Sequence, residues 1–290
     1  MTFKDALKTK KFVVTCEIGP PKGINVNKIL DEAESFKGRV DAVNVTDLQS
    51  SVMRLGSLTM CHLLKIRGHE PIFQVTTRDR NRLALQSDIL SAAALGIENV
   101  LVLTGDHPVR GDHPQAKPVY DLDSIQLLEV IKLLNSGFDM TGNALDGKPD
   151  IFAGAVVNPG ADPIEPEIIK MEKKVKAGAK FFQTQAVFDT DKFADFTKRI
   201  KHIEAPVLAS VILLKSASMA RYMNDNVAGI SVPGHLIKEM ESTEGKDRVN
   251  KSVEIAAKLI KGLKGLCRGI HIMPIGWESK IELVLDAAEL

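Results

Sequence analysis

Eight short apolar runs, rich in β-branched residues, recur along the chain, and a longer amphipathic stretch follows each one. The runs are Phe12–Ile18, Ala42–Asp47, Pro71–Thr77, Asn99–Asp106, Ile151–Asn158, Phe181–Phe188, Pro206–Leu214 and Gly269–Ile275. They are nearly continuously apolar rather than alternating, as parallel strands covered on both faces require. The spacing predicts helices over Asn27–Phe36, Ser57–Arg67, Arg80–Leu95, Ser124–Asn135, Glu165–Ala177, Asp191–Lys201, Ser216–Asn224 and Glu278–Ala288. Gly96 and Gly178 follow helical runs, where a left-handed residue stops a helix. Pro163 and Pro166 open another, where a missing N–H costs little. Eight strand–helix units predict an α/β fold, a (β/α)8 TIM barrel. The 290 residues are read as a single domain over 1–290, close to the roughly 250 residues typical of such barrels. A doubly wound open sheet is the alternative, but its GxGxxG fingerprint after the first strand is absent. Three stretches interrupt the rhythm: a polar loop at Gly105–Asp121, a glycine-rich connection at Gly137–Asp150, and an extra helical segment at Gly229–Asn250.

Charge and cysteine content narrow the function classes. The 38 basic and 37 acidic residues nearly cancel, which argues against a broad basic surface for nucleic acid. Cys16, Cys61 and Cys267 are far apart and form no CxxC pair, so zinc-finger and cluster-binding readings are weak and a reducing compartment is expected. No apolar stretch approaches the roughly 20 residues that span a bilayer, and the N-terminus has no signal core. A soluble cytoplasmic protein is expected, with no nucleic-acid partner and no membrane span.

In a barrel of this kind the active site lies at the C-terminal strand ends. Polar residues gather there: Glu17, Thr46, Asp47, Gln74, Thr76, Thr77, Thr104, Gly105, Asp106, Asn158, Gln183 and Gln185. Glu17 ends an apolar strand just before Gly19-Pro20-Pro21. Partial desolvation favours a protonated carboxyl, which suits a general acid; a rim carboxylate paired with lysine is the alternative. Asp106 follows a glycine that lets backbone approach a ligand, and its oxygens could accept from an amidine-like ring edge; a turn aspartate before His107-Pro108 is the alternative. Gln183 and Gln185, two apart, face the same side of their strand. Either they bind neighbouring side chains or they read a polar heterocycle. Lys170 and Lys174 share a helix face and, with Lys173, could hold a phosphate, or simply be solvated. His107, Asp112 and His113 lack a further ligand nearby, so no metal is expected. Cys16 has no histidine placed by sequence to activate it and reads as a small packed residue.

These pieces resemble the methylenetetrahydrofolate reductase family over about Phe12 to Glu278. The markers are Cys16-Glu17-Ile18-Gly19-Pro20-Pro21-Lys22, Leu103-Thr104-Gly105-Asp106-His107-Pro108, Glu172 to Ala179 leading into Gln183-Thr184-Gln185, and Gly269 to Pro274. The resemblance implies a flavin-dependent reduction of 5,10-methylenetetrahydrofolate to 5-methyltetrahydrofolate. It implies Glu17 as general acid, Asp106 near pterin and flavin, and Gln185 on the pterin. Flavin contacts are implied at Thr46, Gln74, Thr104, Gly105, Asp106, Asn158, Asp162, Glu167, Lys170, Lys173 and Lys174, with Tyr120 and Asp121 in a flavin-contacting stretch. FAD is the family cofactor, with FMN as the alternative. NAD(P)H or a partner protein would deliver the electrons; some short relatives use an iron–sulphur subunit. An oligomer is expected. Several positions depart from the family pattern. Thr104 stands where arginine is frequent, Gln74 and Asp162 where histidine is frequent, and Asn158 where tyrosine is common. The segment Leu214–Met219 lacks an aromatic, and no arginine stands near Gly276-Trp277. A flavin-binding electron-transfer or scaffold subunit of a larger one-carbon complex, and a flavin-free pterin methyltransferase, are the rival readings.

Overall fold

The computed structural model describes residues 1–245 and 247–290. Eight parallel strands close in sequence order into one barrel, β1 through β8, with β8 pairing back onto β1. The strands are β1 (Val13–Ile18), β2 (Ala42–Val45), β3 (Pro71–Thr76), β4 (Asn99–Leu103), β5 (Phe152–Val157), β6 (Phe181–Ala186), β7 (Val207–Ile212) and β8 (Gly269–Met273). The helices are α1 (Phe3–Thr9), α2 (Asn27–Ser35), α3 (Ser57–Ile66), α4 (Arg82–Ala94), α5 (Ser124–Ser136), α6 (Glu165–Ala177), α7 (Thr190–Arg199), α8 (Ala217–Asn226), α9 (Gly234–Glu241), α10 (Asp247–Leu263) and α11 (Ile281–Ala288). Each expected strand is present; β1 ends where its run ends, at Ile18, and the other seven ladders stop one to three residues short of the C-terminal end of the run that announced them. The residues beyond the ladder turn into the barrel mouth.

Local sequence explains the helix limits. Asn81 caps α4 by accepting from Leu83 and Ala84 N–H groups. Asp123 and Gln126 form a reciprocal capping box on α5, and Gly137 ends that helix at φ 95°, as such motifs do. In α10 the buried Val253, Ala256, Ile260 and Leu263 recur at three- and four-residue spacing, so one stripe faces the barrel. The Gly229–Asn250 insertion supplies α9 and the start of α10. No helix among the described residues is long and apolar enough to cross a membrane.

Two hydrophobic cores result. One fills the shell between strands and helices. The other closes the N-terminal end of the barrel around Phe3, Ala6, Leu7, Val13, Ala42, Ile72, Leu101, Phe181 and Leu208. The sequence reading did not anticipate α1, the helix that supplies the first three of these. Seven residues make two turns, too few for a periodicity signal. Tertiary packing makes it a helix: Phe3 meets the Phe181 ring edge-on at 5.0 Å and the Phe152 ring at 6.2 Å. Above this plug the interior turns polar. Gln183 and Asn44 exchange amide hydrogen bonds of 2.7 and 3.1 Å across the barrel, and Ser210 donates to the Thr184 carbonyl.

Phe3 is fully buried, so Phe3→Ala should cost about 3–5 kcal/mol. Urea unfolding should show a lowered midpoint with an unchanged m-value; an unchanged midpoint would show that α1 is not part of the cooperative core.

Candidate active site

The C-terminal mouth of the barrel holds a cavity of about 450 Å³, within the range of small-molecule and cofactor sites. Its apolar lining includes Leu101, Leu103, Val156, Val157 and Met273. Of the residues singled out in the sequence, it gathers Glu17, Gln74, Thr104, Gly105, Asp106, Asn158, Glu167, Lys174, Gln183 and Gln185. These come from β1, β3, β4, β5, α6 and β6, so only barrel closure brings them together.

Glu17 lies at the centre of this arrangement, 6% exposed. Its Oε1 accepts from Gln49 Nε2 at 3.3 Å. Its Oε2 lies 3.6 Å from His271 Nε2, within ion-pair range and just beyond hydrogen-bond range. On the far side of the ring, His271 Nδ1 is 3.0 Å from Thr15 Oγ1, and that hydroxyl donates to the Ile270 carbonyl. A hydroxyl has one proton, so Thr15 accepts from Nδ1–H and the ring turns its Nε2 edge toward Glu17. This tautomer is assigned from the hydrogen-bond network. His271 and Gln49 were not identified as site residues from the sequence. His271 is part of an apolar strand, and Gln49 lies beyond the end of one.

Other side chains at the mouth are committed to structure or left free. Gln183 is satisfied inside the barrel by Asn44 and Thr15. Gln185 accepts from its neighbour Ala186 N–H at 3.0 Å, and its Nε2 makes no hydrogen bond among the described residues. The Asp106 carboxylate likewise has no partner there, while its backbone carbonyl accepts from Ser51 and Arg78. Asn158 is tied to the Ala228 carbonyl and the Gly160 N–H. Lys174 is buried and donates to the Val156 carbonyl at 2.7 Å; burial pulls its pKa below the usual lysine value, with Glu167 opposing.

Six of the positions implied by the family resemblance lie off this cavity. Thr46 is buried, its hydroxyl without a hydrogen-bond partner. Lys170 and Lys173 face solvent on α6, so the helix turns only Lys174 inward. Asp162 lines a separate cavity of about 350 Å³ with Phe188, Phe193 and Arg199. Tyr120 donates to the Gly105 carbonyl at 3.4 Å. Asp121 is held by Arg82 through two side-chain bonds of 2.9 Å.

The remaining motifs are occupied locally. Asp112 pairs with Lys22 and His113 and accepts from Met53 N–H, which holds its carboxyl well below the usual range. No group of metal-ligating side chains occurs among the described residues. Cys16 is fully buried, and burial, with Glu17 and Glu278 adding, raises its thiol pKa, as befits a packed rather than a reactive cysteine. After β7 and β8, Lys215 Nζ lies 5.5 Å from the Trp277 ring centroid, so a cation and an aromatic stand together at that rim.

The fold and site define a (β/α)8 barrel protein with a ligand cavity built around a buried carboxyl–imidazole pair. Comparison with known proteins gives the family. Residues 2–289 match the model of methylenetetrahydrofolate reductase, and the chain belongs to that family. It is 22% identical to methylenetetrahydrofolate reductase 2 of Schizosaccharomyces pombe over 74% of this chain and 35% of that protein. It is 23% identical to 5,10-methylenetetrahydrofolate reductase of Salmonella typhimurium over 86% of this chain and 80% of that one. The chain thus spans about a third of the length of the fungal relative. Among solved structures, a Clostridium thermocellum protein described as binding two copies of 5-methyl-5,6,7,8-tetrahydrofolic acid matches with a TM-score of 0.63, at 18% identity over 99% of each chain. A 2,3-dimethylmalate lyase shares the fold at a TM-score of 0.53 and 10% identity, over 100% of this chain and 87% of that one.

The Arg82–Asp121 pair, which anchors the long β4–α5 loop to α4, gives a pH prediction. Hydrogen bonds from Arg82 lower the Asp121 pKa from its ordinary 3.8 to about 2. A folded-state value below the unfolded one stabilises above 3.8, and the contribution is lost as pH falls through about 2. Asp121→Asn should therefore lower the melting temperature near neutrality, and the gap to the native chain should close as the pH of the melt falls through that window.

Proposed function

We propose that this chain is a flavin-dependent reductase that converts 5,10-methylenetetrahydrofolate to 5-methyltetrahydrofolate. The observation that carries this reading is the Glu17 carboxyl, buried at the cavity with an imidazole on one oxygen and an amide on the other. Family membership supports the same chemistry, as does the folate bound by the Clostridium thermocellum protein of the same fold.

Glu17 is the general acid. Its proton goes to the ring nitrogen of the methylene bridge, the carbon–nitrogen bond breaks, and the one-carbon unit becomes an iminium carbon able to accept hydride. His271, its Nδ1 proton fixed by Thr15, holds Nε2 against Glu17 Oε2 and orients that oxygen, and the carboxylate regains its proton from water once the product has left the mouth. Asp106 and Gln185 orient the pterin: the free carboxylate accepts from its amidine edge, and the free Nε2 donates to it. The apolar walls exclude water from the short-lived cation.

The cavity fits a flavin. Apolar side chains from β4, β5 and β8 line a space edged by the amides of Gln74 and Asn158. Lys174, on the cavity wall, suits a phosphate as a point charge. When bound and reduced, the flavin supplies the hydride. FAD or FMN would serve, and the electrons would come from NAD(P)H or from a partner subunit with iron–sulphur chemistry.

Anaerobic spectroscopy of the flavin-loaded protein tests the reading. Methylenetetrahydrofolate should reoxidise the dithionite-reduced flavin, and Glu17→Gln should slow that step by at least a hundredfold with reduction of the flavin unchanged. Bleaching by NADH or NADPH would make the chain self-sufficient. Bleaching by methyltetrahydrofolate alone would assign electron delivery to a partner. Bound flavin without any folate response would sink the proposal in favour of an electron-transfer or scaffold subunit.

A further inference from the structure

The segment that follows β2 is held in an unfavourable backbone conformation directly over the acid. Leu48, Ser50 and Ser51 have φ of 47°, 56° and 58°. None is glycine, and a left-handed conformation costs such a residue about 1–2 kcal/mol. Strain of this kind persists only where the surroundings over-determine it, and it concentrates at functional sites. Here the surroundings can be named. Arg78, 2% exposed, directs its guanidinium at the Leu48 carbonyl (3.3 Å), the Ser51 hydroxyl (2.9 Å) and the Asp106 carbonyl (3.1 Å). Asp79 pairs with the same guanidinium at 2.6 Å. Ser51 Oγ donates in turn to the Asp106 carbonyl at 2.7 Å. On the other side the β4–α5 loop crosses at Gly111, where any side chain would collide with the Ser51 carbonyl.

This clamp has one consequence inside the cavity. Gln49, between two left-handed residues, projects its amide onto Glu17 Oε1. The other carboxyl oxygen already faces His271. Among the described residues no lysine or arginine lies within ion-pair distance of Glu17, so these two groups set its orientation. A relaxed loop would satisfy Leu48 and Ser51 at lower cost but would leave the carboxyl free to turn.

We propose that Gln49 is a positioning residue for Glu17, and that Arg78 is the buried anchor that holds Gln49 in place through the Leu48–Ser51 segment. The proposal deepens the assignment of Glu17 as the acid and rests on it only for its kinetic arm. Gln49 steadies one oxygen while the proton stays between the other and His271. An incoming pterin then meets a carboxyl whose direction is already fixed, which reduces the ordering required at the reacting atoms.

The primary test needs no turnover. The carboxyl band of Glu17 is identified in infrared difference spectra by its disappearance in Glu17→Gln, then followed against pH. Gln49→Met keeps the volume but removes the donor, and the lost donor had favoured the ionised form. The band should therefore persist to a pH higher by roughly half to one unit. Arg78→Lys should reproduce that change, and the double variant should add little, because both act through one contact. If Arg78→Lys does not fold, Gln49→Met decides alone, since Gln49 is exposed at the mouth. In the kinetic arm, Gln49→Met should lower the rate of flavin reoxidation by methylenetetrahydrofolate about three- to tenfold, with flavin reduction unchanged. An unaltered titration in Gln49→Met overturns the proposal even if folate turnover is intact. A shifted titration in a chain that never turns over folate keeps the positioning role and removes the function assigned above.

Discussion

The seam where the last strand returns to the first is the contact on which the site depends. Val13 pairs with Gly269 and Thr15 with His271 across it. Any side chain at position 269 would collide with the Val13 carbonyl, so the strands approach closely enough to hydrogen-bond only because that residue is glycine. Closure then sets Thr15, Glu17 and His271 in one patch of wall, although more than 250 residues separate β1 from β8 in the chain. The Thr15 hydroxyl fixes the imidazole proton, and the imidazole faces the carboxyl. The carboxyl–imidazole pair is thus a product of barrel closure rather than of any local motif.

The mouth treats its carboxylates in two ways. Asp47 is buried and receives the Thr76 N–H, the Thr76 hydroxyl and Arg80, at 2.9, 2.9 and 2.7 Å. Arg80 also holds Asp88 at 2.8 Å, and Arg78 holds Asp79. Asp47 and Asp79 have a guanidinium nitrogen on each oxygen, and for the buried Asp47 that is the condition under which a buried charge is tolerated. Their work is to fix the β2 and β3 loops. Glu17 receives instead one amide donor and one titratable ring. A permanently charged neighbour would hold the proton off; a histidine can exchange it. Under the role proposed for Glu17, chemistry is thereby separated from scaffolding among acids that look alike in the sequence.

Much of this was legible before folding was considered. The eight apolar runs gave the strands and their order, and the rule that barrel sites lie at C-terminal strand ends put Glu17, Asp106 and Gln185, among other strand-end residues, at the mouth, where they line the cavity. The expected strands overran by up to three residues because β-branched and apolar composition continues past the point where the ladder ends. At the mouth neighbouring strands splay, the backbone loses its partner, and residues such as Thr104 to Asp106 turn inward as loop. The α1 plug was invisible because its helix exists by burial of Phe3 against Phe152 and Phe181, not by propensity over its seven residues. The lysine pattern on α6 was only partly informative. Spacing placed Lys170 and Lys174 on one face, but the helix lies so that Lys174 is buried and Lys170 stays in solvent.

Arg78 and Gln49 were illegible for a different reason. Their importance depends on backbone conformation, and nothing in Leu48-Gln49-Ser50-Ser51 advertises a left-handed path. A glycine would have done so, since glycine adopts positive φ without penalty. In its absence the conformation has to be imposed from outside, by a guanidinium that bridges two carbonyls and a hydroxyl from two different loops. That arrangement is stiffer than a glycine turn, which would reach the same shape but also leave it freely. In the role proposed for Glu17, a carboxyl has to present its proton in one direction while water is excluded, and stiffness in the residue that orients it is what a clamped, non-glycine loop would supply.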